Sequence, residues 1–220
     1  MSEPRRFPLL VFDWDGTLAD STGIIAGAIQ QACRDLELPV PDDEAARFVI
    51  GLGLSDALRH VAPTLPAAEH PRLSERYRHH YLARDPEIPL FEGAREMLDE
   101  LDARGFLLAI ATGKSRVGLT RALTQQGLAH RFVASRCADE GFPKPHPDML
   151  LSLMERCGTT PGETLMIGDT THDLELARNA GANAVAVTYG AHGLDGLAGL
   201  SPLATLSSVQ ELRAWLGANA

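Results

Sequence analysis

The chain has 220 residues, 45% of them hydrophobic, enough to bury a substantial core as one domain or as a domain carrying a large insertion. Asp and Glu number 29 against 20 Lys and Arg, a net charge of -9. With no excess of cation to neutralise phosphates, the composition excludes a general nucleic-acid or acidic-membrane binder, while leaving room for one small phosphate held locally. Three cysteines, Cys33, Cys137 and Cys157, are odd in number and lack Cys-x-x-Cys spacing, so neither a disulfide framework nor a zinc knuckle is suggested and a reducing cytoplasm fits best.

The first element is the short apolar run 7–13, FPLLVFD, read as a buried strand. It is too short for a signal-peptide core or a membrane span. It ends in two carboxylates one residue apart, Asp13 and Asp15, followed by Gly16 and Thr17. Two acids at the end of a buried strand repel each other and are costly to desolvate, so their placement calls for a chemical reason.

From about 20 to 88 no convincing strand occurs. Instead there are amphipathic segments: one with Ile25, Ala28, Ile29, Ala32 and Leu36 on one face, then shorter ones around 42–50, 53–62 and 67–84. The spacing predicts four helices inserted between the first strand and the rest, a small all-helical cap domain over 20–88, with 1–19 and 89–220 forming the core. In the cluster RYRHHY, 76–81, Tyr77 and Tyr81 are expected to pack inward from a surface helix.

Beyond residue 88 strands and helices alternate. Apolar runs at 106–112, 131–136, 164–169 and 184–190 predict strands; 93–104, 115–126, 146–157 and 172–180 predict helices; a last strand and helix follow in LATLSSVQELRAWL. Continuous hydrophobicity marks parallel strands covered on both faces. The fold class is therefore α/β, a doubly wound, Rossmann-like parallel sheet with the helical domain inserted.

Ligands in such sheets bind beyond the carboxyl ends of the strands, where four polar groups fall: Asp13 with Asp15; Thr112, Gly113 and Lys114; Lys144 in EGFPKPHPD; and Asp169 with Asp173 in GDTTHD. Converging carboxylates without a His or Cys cluster favour a hard cation, Mg²⁺ first. One lysine, with exposed N–H groups around Gly16 and Gly113, suits a phosphate beside it. The chain has only two lysines, Lys114 and Lys144, both at these turns. Lys144 lies between Pro143 and Pro145, which stiffen it.

In order and character the motifs DWDGT, ATGK, KPHPD and GDTTHD resemble those of the haloacid dehalogenase-like hydrolase superfamily, and the insertion after the first motif resembles the cap of its phosphoglycolate phosphatase-like branch. The resemblance implies that Asp13 attacks phosphorus to give an aspartyl-phosphate and that Asp15 first protonates the leaving oxygen and then activates water. It implies that Thr112 and Lys144 bind the phosphoryl group, and that Mg²⁺ is held by Asp13, the main-chain carbonyl of Asp15 and Asp169, with Asp173 in or just outside that shell. Gly51, Leu52 and Gly53 in VIGLGLSD loosely resemble its specificity loop; joining two helices is the competing role for the glycines.

The other readings are as follows. Asp13 and Asp15 capping a helix is disfavoured, because Ser21 or Asp20 is better placed. Thr170-x-x-Asp173 is also a capping-box pattern. Lys114 is expected to face the entrance or solvent without a catalytic role; His146 is expected to open a helix, and His172 to lie outside the metal shell. A dehalogenase needs no Asp15, and a phosphonate-cleaving relative needs a cap lysine that this chain lacks. A sugar-phosphate mutase shares the same core, and a phospho-accepting signalling module disagrees with an acceptor on the first strand. The expected activity is Mg²⁺-dependent hydrolysis of a small phosphorylated metabolite, phosphoglycolate-like or a sugar phosphate, by a cytoplasmic monomer or homodimer.

Overall fold

The computed structural model describes residues 5–220. Six strands, β1 (Leu9–Phe12), β2 (Leu107–Thr112), β3 (Ala134–Cys137), β4 (Thr164–Gly168), β5 (Asn183–Val187) and β6 (Thr205–Leu206), form one sheet in the order β3-β2-β1-β4-β5-β6. Every strand pairing is parallel. The chain winds outward from β1 through β2 to β3, then returns to the other side of β1 with β4. The crevice between the ends of β1 and β4 is therefore the topological switch point.

Strand alternation divides the core. Leu10 and Phe12 join Ile110, Ile167 and Val185 in one apolar cluster, while Leu9 and Val11 join Ala109, Ala111 and Met166 in another. The second cluster includes Met149, Leu150 and Leu153 of α7 (Asp148–Cys157) and Leu176 and Ala177 of α8 (Thr171–Asn179). The first includes Met97, Leu98 and Leu101 of α5 (Ala94–Ala103) and Leu212 and Leu216 of α10 (Val209–Asn219). Both sheet faces are thus covered, as the continuous apolar runs predict.

Some boundaries differ from the sequence reading. The third strand begins at Ala134, because Ala129–Arg131 form a 3-10 turn, and it runs on to Cys137. The fifth ends at Val187, and the chain then bends through Gly190, where a Cβ would collide with the Asp169 carboxylate. The seventh helix starts at Asp148, with the Nδ1 of His146 accepting from the Asp148 N–H at 3.2 Å. A short helix α9 (Leu194–Ala198) has no counterpart in the sequence reading.

Between β1 and α5 lies a helical insert: α1 (Thr22–Asp35), α2 (Asp43–Phe48), α3 (Leu54–Val61) and α4 (His70–Arg84), with a 3-10 turn at Ala67–Glu69 before α4. It has a small cluster of its own around Ala32, Cys33, Leu58 and Leu73. Ile25, Ile29, Val49 and Ile50 instead join the main cluster, so the insert is packed onto the sheet domain as well as onto itself. The chain leaves and returns side by side: the Asp20 N–H bonds the Pro89 carbonyl at 3.0 Å and the Phe91 N–H bonds that of Leu18 at 3.0 Å. No helix among the described residues is long and apolar enough to cross a membrane.

Candidate active site

The Asp13 N–H bonds the carbonyl of Ile167 at 2.9 Å, which continues the β1–β4 pairing one residue past the strand and pins the carboxylate at the switch point. Asp13, Asp169 and Asp173 are fully buried, and each can offer a carboxylate oxygen to a point where all three lie within 4.8 Å of one another. Into this cluster comes Lys144, wholly buried, its Nζ 3.0 Å from Asp13 Oδ1 and 2.6 Å from Asp173 Oδ1. Three carboxylates face one lysine.

Asp169 is held from two sides. Thr17 Oγ1 donates to Oδ1 at 2.7 Å and the Ala191 N–H donates to Oδ2 at 2.7 Å. Gly16, at φ 86°, brings the backbone so close to this carboxylate that a Cβ would overlap it. Asp173 accepts at Oδ2 from the N–H of Thr170 at 3.1 Å and from its Oγ1 at 2.7 Å. The capping box and a place in the acid cluster therefore coexist in Asp173, and both its oxygens are engaged. Asp13 is different: Oδ1 has only the ion-pair contact with Lys144, and neither oxygen receives a hydrogen bond.

These contacts set the electrostatics. Burial, reinforced by Asp173 and Asp15 and opposed by Lys144, pushes the Asp13 carboxyl up to about 7. Burial and then the charges of Asp13 and Asp173 raise Asp169 well above the usual carboxylate range. Burial alone would lower Lys144, but the two carboxylates it touches outweigh that and hold it protonated. The deficit of positive charge thus falls on Asp13 and Asp169 together.

The Asp15 carboxylate turns away from this cluster, toward the insert. Ser21 Oγ donates to its Oδ1 at 2.7 Å, and Lys114 Nζ lies 2.9 and 3.1 Å from its two oxygens. A metal role for Asp15 is consequently restricted to its main-chain carbonyl, as the family resemblance implies. Ser21 sits at the N-terminal cap position of α1, but its side chain makes no capping bond, because the hydroxyl serves Asp15 instead. Thr112 is fully buried, and its Oγ1 accepts from the Lys114 N–H at 3.2 Å.

Lys114 lines the cavity beside Asp15, the entrance side of the expectation rather than open solvent. Its side chain is 9% exposed and its Nζ also donates to the Tyr81 hydroxyl at 2.7 Å. Tyr81 is buried and stacks with Tyr77 at 5.7 Å, so the inward packing expected of both tyrosines also places a hydroxyl on the Asp15 pair. The signal in the sequence was the second lysine. Lys114→Met is expected to reduce kcat/KM roughly 10- to 100-fold, the worth of a hydrogen bond to a charged group, in steady-state assays; unchanged kinetics would show that Lys114 does not support Asp15.

The loop carrying Gly51, Leu52 and Gly53 does more than join helices. It lies on the turn after β2: a Cβ at Gly113 would come within 2.6 Å of the carbonyl oxygens of Gly51 and Leu52. Gly51 has φ 92° and faces Thr170, and Gly53 faces Ala138. His172, expected outside the metal shell, contacts the insert. Its Nε2 and that of His192 both lie 2.9 Å from the carbonyl oxygen of Phe48, whose ring stacks on His192 at 5.3 Å. His192 and Thr17 carried no separate signal in the sequence reading.

A doubly wound sheet whose switch point gathers three buried carboxylates and one buried lysine, overhung by a helical insert, defines an α/β enzyme with an acidic site at the carboxyl ends of its strands. The chain belongs to the haloacid dehalogenase-like hydrolase family, whose model matches residues 10–187. It is 38% identical over 194 residues to a probable phosphatase, IndB, of Dickeya dadantii, covering 86% of this chain and 84% of that one. It is 32% identical over 191 residues to a phosphoglycolate phosphatase of Agrobacterium fabrum, covering 83% and 81%. Among solved structures, a predicted phosphoglycolate phosphatase from Haemophilus somnus superposes with a TM-score of 0.81 at 28% identity, covering 92% of this chain and 95% of that one.

Proposed function

We propose that this chain is a Mg²⁺-dependent phosphatase that hydrolyses a small phosphomonoester through an aspartyl-phosphate on Asp13. The observation that carries the reading is the Asp13 carboxylate itself: buried, contacted only by Lys144 at Oδ1 with Oδ2 left without a partner, and lining a cavity that it shares with Asp15. A nucleophile must keep such an oxygen uncommitted. The similarity to named phosphatases supports the same reading.

The donor set fits Mg²⁺, because three buried carboxylates with a single lysine leave uncompensated negative charge and supply only hard oxygen ligands. Asp13, Asp169 and the main-chain carbonyl of Asp15 would hold the ion, with Asp173 orienting Lys144 beside it. When bound, the ion supplies charge neutralisation for the phosphoryl oxygens. In the first step a carboxylate oxygen of Asp13 bonds to phosphorus as the phosphorus–alkoxy bond breaks, and Asp15 gives its proton to the departing alcohol oxygen. In the second, Asp15 takes a proton from water as that water attacks phosphorus, and the bond to Asp13 breaks to release phosphate. Lys144, Thr112 and the N–H groups about Gly16 and Gly113 would bind the phosphoryl oxygens. The insert over 20–88 would act as the cap, excluding bulk water. The free state of Cys33, Cys137 and Cys157 is compatible with a cytoplasmic enzyme.

The test is a screen of phosphorylated metabolites, phosphoglycolate and hexose phosphates included, with and without Mg²⁺. Free phosphate released only with Mg²⁺ is expected; conversion of a hexose phosphate to its positional isomer would make the chain a mutase instead.

The electrostatics add a pH dependence. Unfolded, Asp13 loses its proton near the ordinary aspartate value of 3.8; folded, it keeps it until about 7. Between these values the folded state binds more protons, so stability of the metal-free protein falls as pH rises from about 4 to about 7. Mg²⁺ binds the ionised cluster, and its stabilising effect is expected to grow over the same window. Melting temperatures with and without Mg²⁺ at pH 5 and pH 8 check this; an equal shift at both would refute it.

A further inference from the structure

We propose that the alcohol half of the substrate is bulky, apolar and uncharged, so that the preferred esters are those of hydrophobic alcohols rather than of a small hydroxy acid such as glycolate. The inference rests on the phosphatase reading above and names its substrate class. It starts from the cavity that opens over Asp13 and Asp15, between the turn at 113–118 and the insert, with a volume of about 840 Å³. That is the size of a site for a drug-sized ligand. A two-carbon acid attached to a phosphate leaves most of it unfilled.

The walls are apolar. On the insert side Ile25, Ile29, Val49, Ile50, Leu52 and Leu54 line the cavity. Three of the four cations that line it are already paired. Lys114 is bonded to Asp15, Arg121 lies 2.5 Å from Asp85, and Arg59 lies 2.9 Å from Asp56; Arg78 is solvent-exposed and pairs with no carboxylate among the described residues. Asp56 and Asp139 add two carboxylates to the lining. Away from Arg78, a second anionic group on the substrate would have to break an existing ion pair or lie unpaired beside these acids, and both are unfavourable. An apolar body meets no such penalty and removes the exposed surface of Leu82 and Val117, with that of the half-buried Leu52 and Leu54, from water.

The expected signature is a chain-length dependence. Each methylene that becomes buried is worth about a fourfold gain in kcat/KM. The experiment uses the full chain with saturating Mg²⁺ and compares ethyl, butyl and hexyl phosphate, whose leaving oxygens are chemically alike. It adds 6-phosphonooxyhexanoate, which ends in a carboxylate, together with phosphoglycolate and acetyl phosphate. Hexyl phosphate is expected to exceed ethyl phosphate by roughly 100-fold or more, and the terminal carboxylate to lose at least about tenfold of that gain.

A flat or falling series, or a preference for phosphoglycolate or the ω-carboxylate ester, overturns the proposal while leaving the phosphatase reading intact if acetyl phosphate is turned over. No turnover of any of these compounds, the acyl phosphate included, overturns both. Leu52→Ser and Leu54→Ser provide a second measurement, because the hexyl-to-ethyl ratio is independent of how much of each preparation is folded. Each is expected to lower that ratio about fivefold; a ratio unchanged in both variants overturns the proposal.

Discussion

Asp13→Asn is expected to reduce turnover by roughly 10⁴-fold or more, as loss of a covalent nucleophile does, while the melting temperature of the metal-free protein stays level or rises. The two halves of this result come from the same geometry. Asp13 is buried at the end of β1 with no hydrogen bond to its carboxylate oxygens, and its ionisation is resisted up to about pH 7. An amide of nearly the same shape removes the nucleophile and also relieves the repulsion from Asp169 and Asp173. Lys144 keeps Asp173 as a partner at 2.6 Å, so no buried cation is stranded. Activity assays paired with thermal melts check this. Retained turnover would remove Asp13 from the role of nucleophile, and loss of folding would show that the carboxylate is structural.

Lys144→Met is expected to act on both quantities. Among the described residues the lysine is the one cation in contact with a cluster of three buried carboxylates, and it touches two of them directly. Breaking a buried ion pair from one side typically costs about 3–5 kcal/mol, and losing a preorganised charge at the reacting group costs on the order of 3 kcal/mol in activation energy. Metal-free Lys144→Met is therefore expected to melt well below the parent chain, with part of the loss recovered by Mg²⁺, and to turn over roughly 10²- to 10³-fold more slowly even when folded. Lys144→Arg is not expected to rescue activity, because a planar guanidinium does not fit where a compact ammonium is wholly enclosed. Wild-type kinetics in either variant would defeat the electrostatic account of the site. Together the variants are expected to separate two functions of charge: Asp13 as destabilising yet needed for chemistry, and Lys144 as needed for both stability and chemistry.

Much of this was legible in the chain itself. Uninterrupted apolar runs, three of them ending in Asp, Thr-Gly-Lys or Gly-Asp, identify buried parallel strands and place polar groups at their carboxyl ends, because strand burial and strand direction are local consequences of residue order. The acids and the proline-flanked Lys144 could be selected from the same pattern. The rarity of lysine pointed to Lys114 as well, but its position did not reveal its partner.

Proximity between distant segments decided the rest. Lys114 is 99 residues from Asp15 and meets it because β1 and β2 are paired in the sheet, and Tyr81 joins them because the insert folds back over the turn after β2. His172 is sequentially beside Asp173 yet points to Phe48, since consecutive positions on a helix face different directions. Ser21 gives its hydroxyl to Asp15 rather than to its helix, a competition between two acceptors that only the three-dimensional arrangement resolves. The sequence alone determined the sheet, the insertion and the set of acids, because these follow from periodicity and order along the chain. Which acid is left without a hydrogen bond, which lysine serves which carboxylate, and how large and how apolar the cavity is were decided by tertiary packing. Burial and charge balance depend on neighbours that are brought together from across the whole length of the chain.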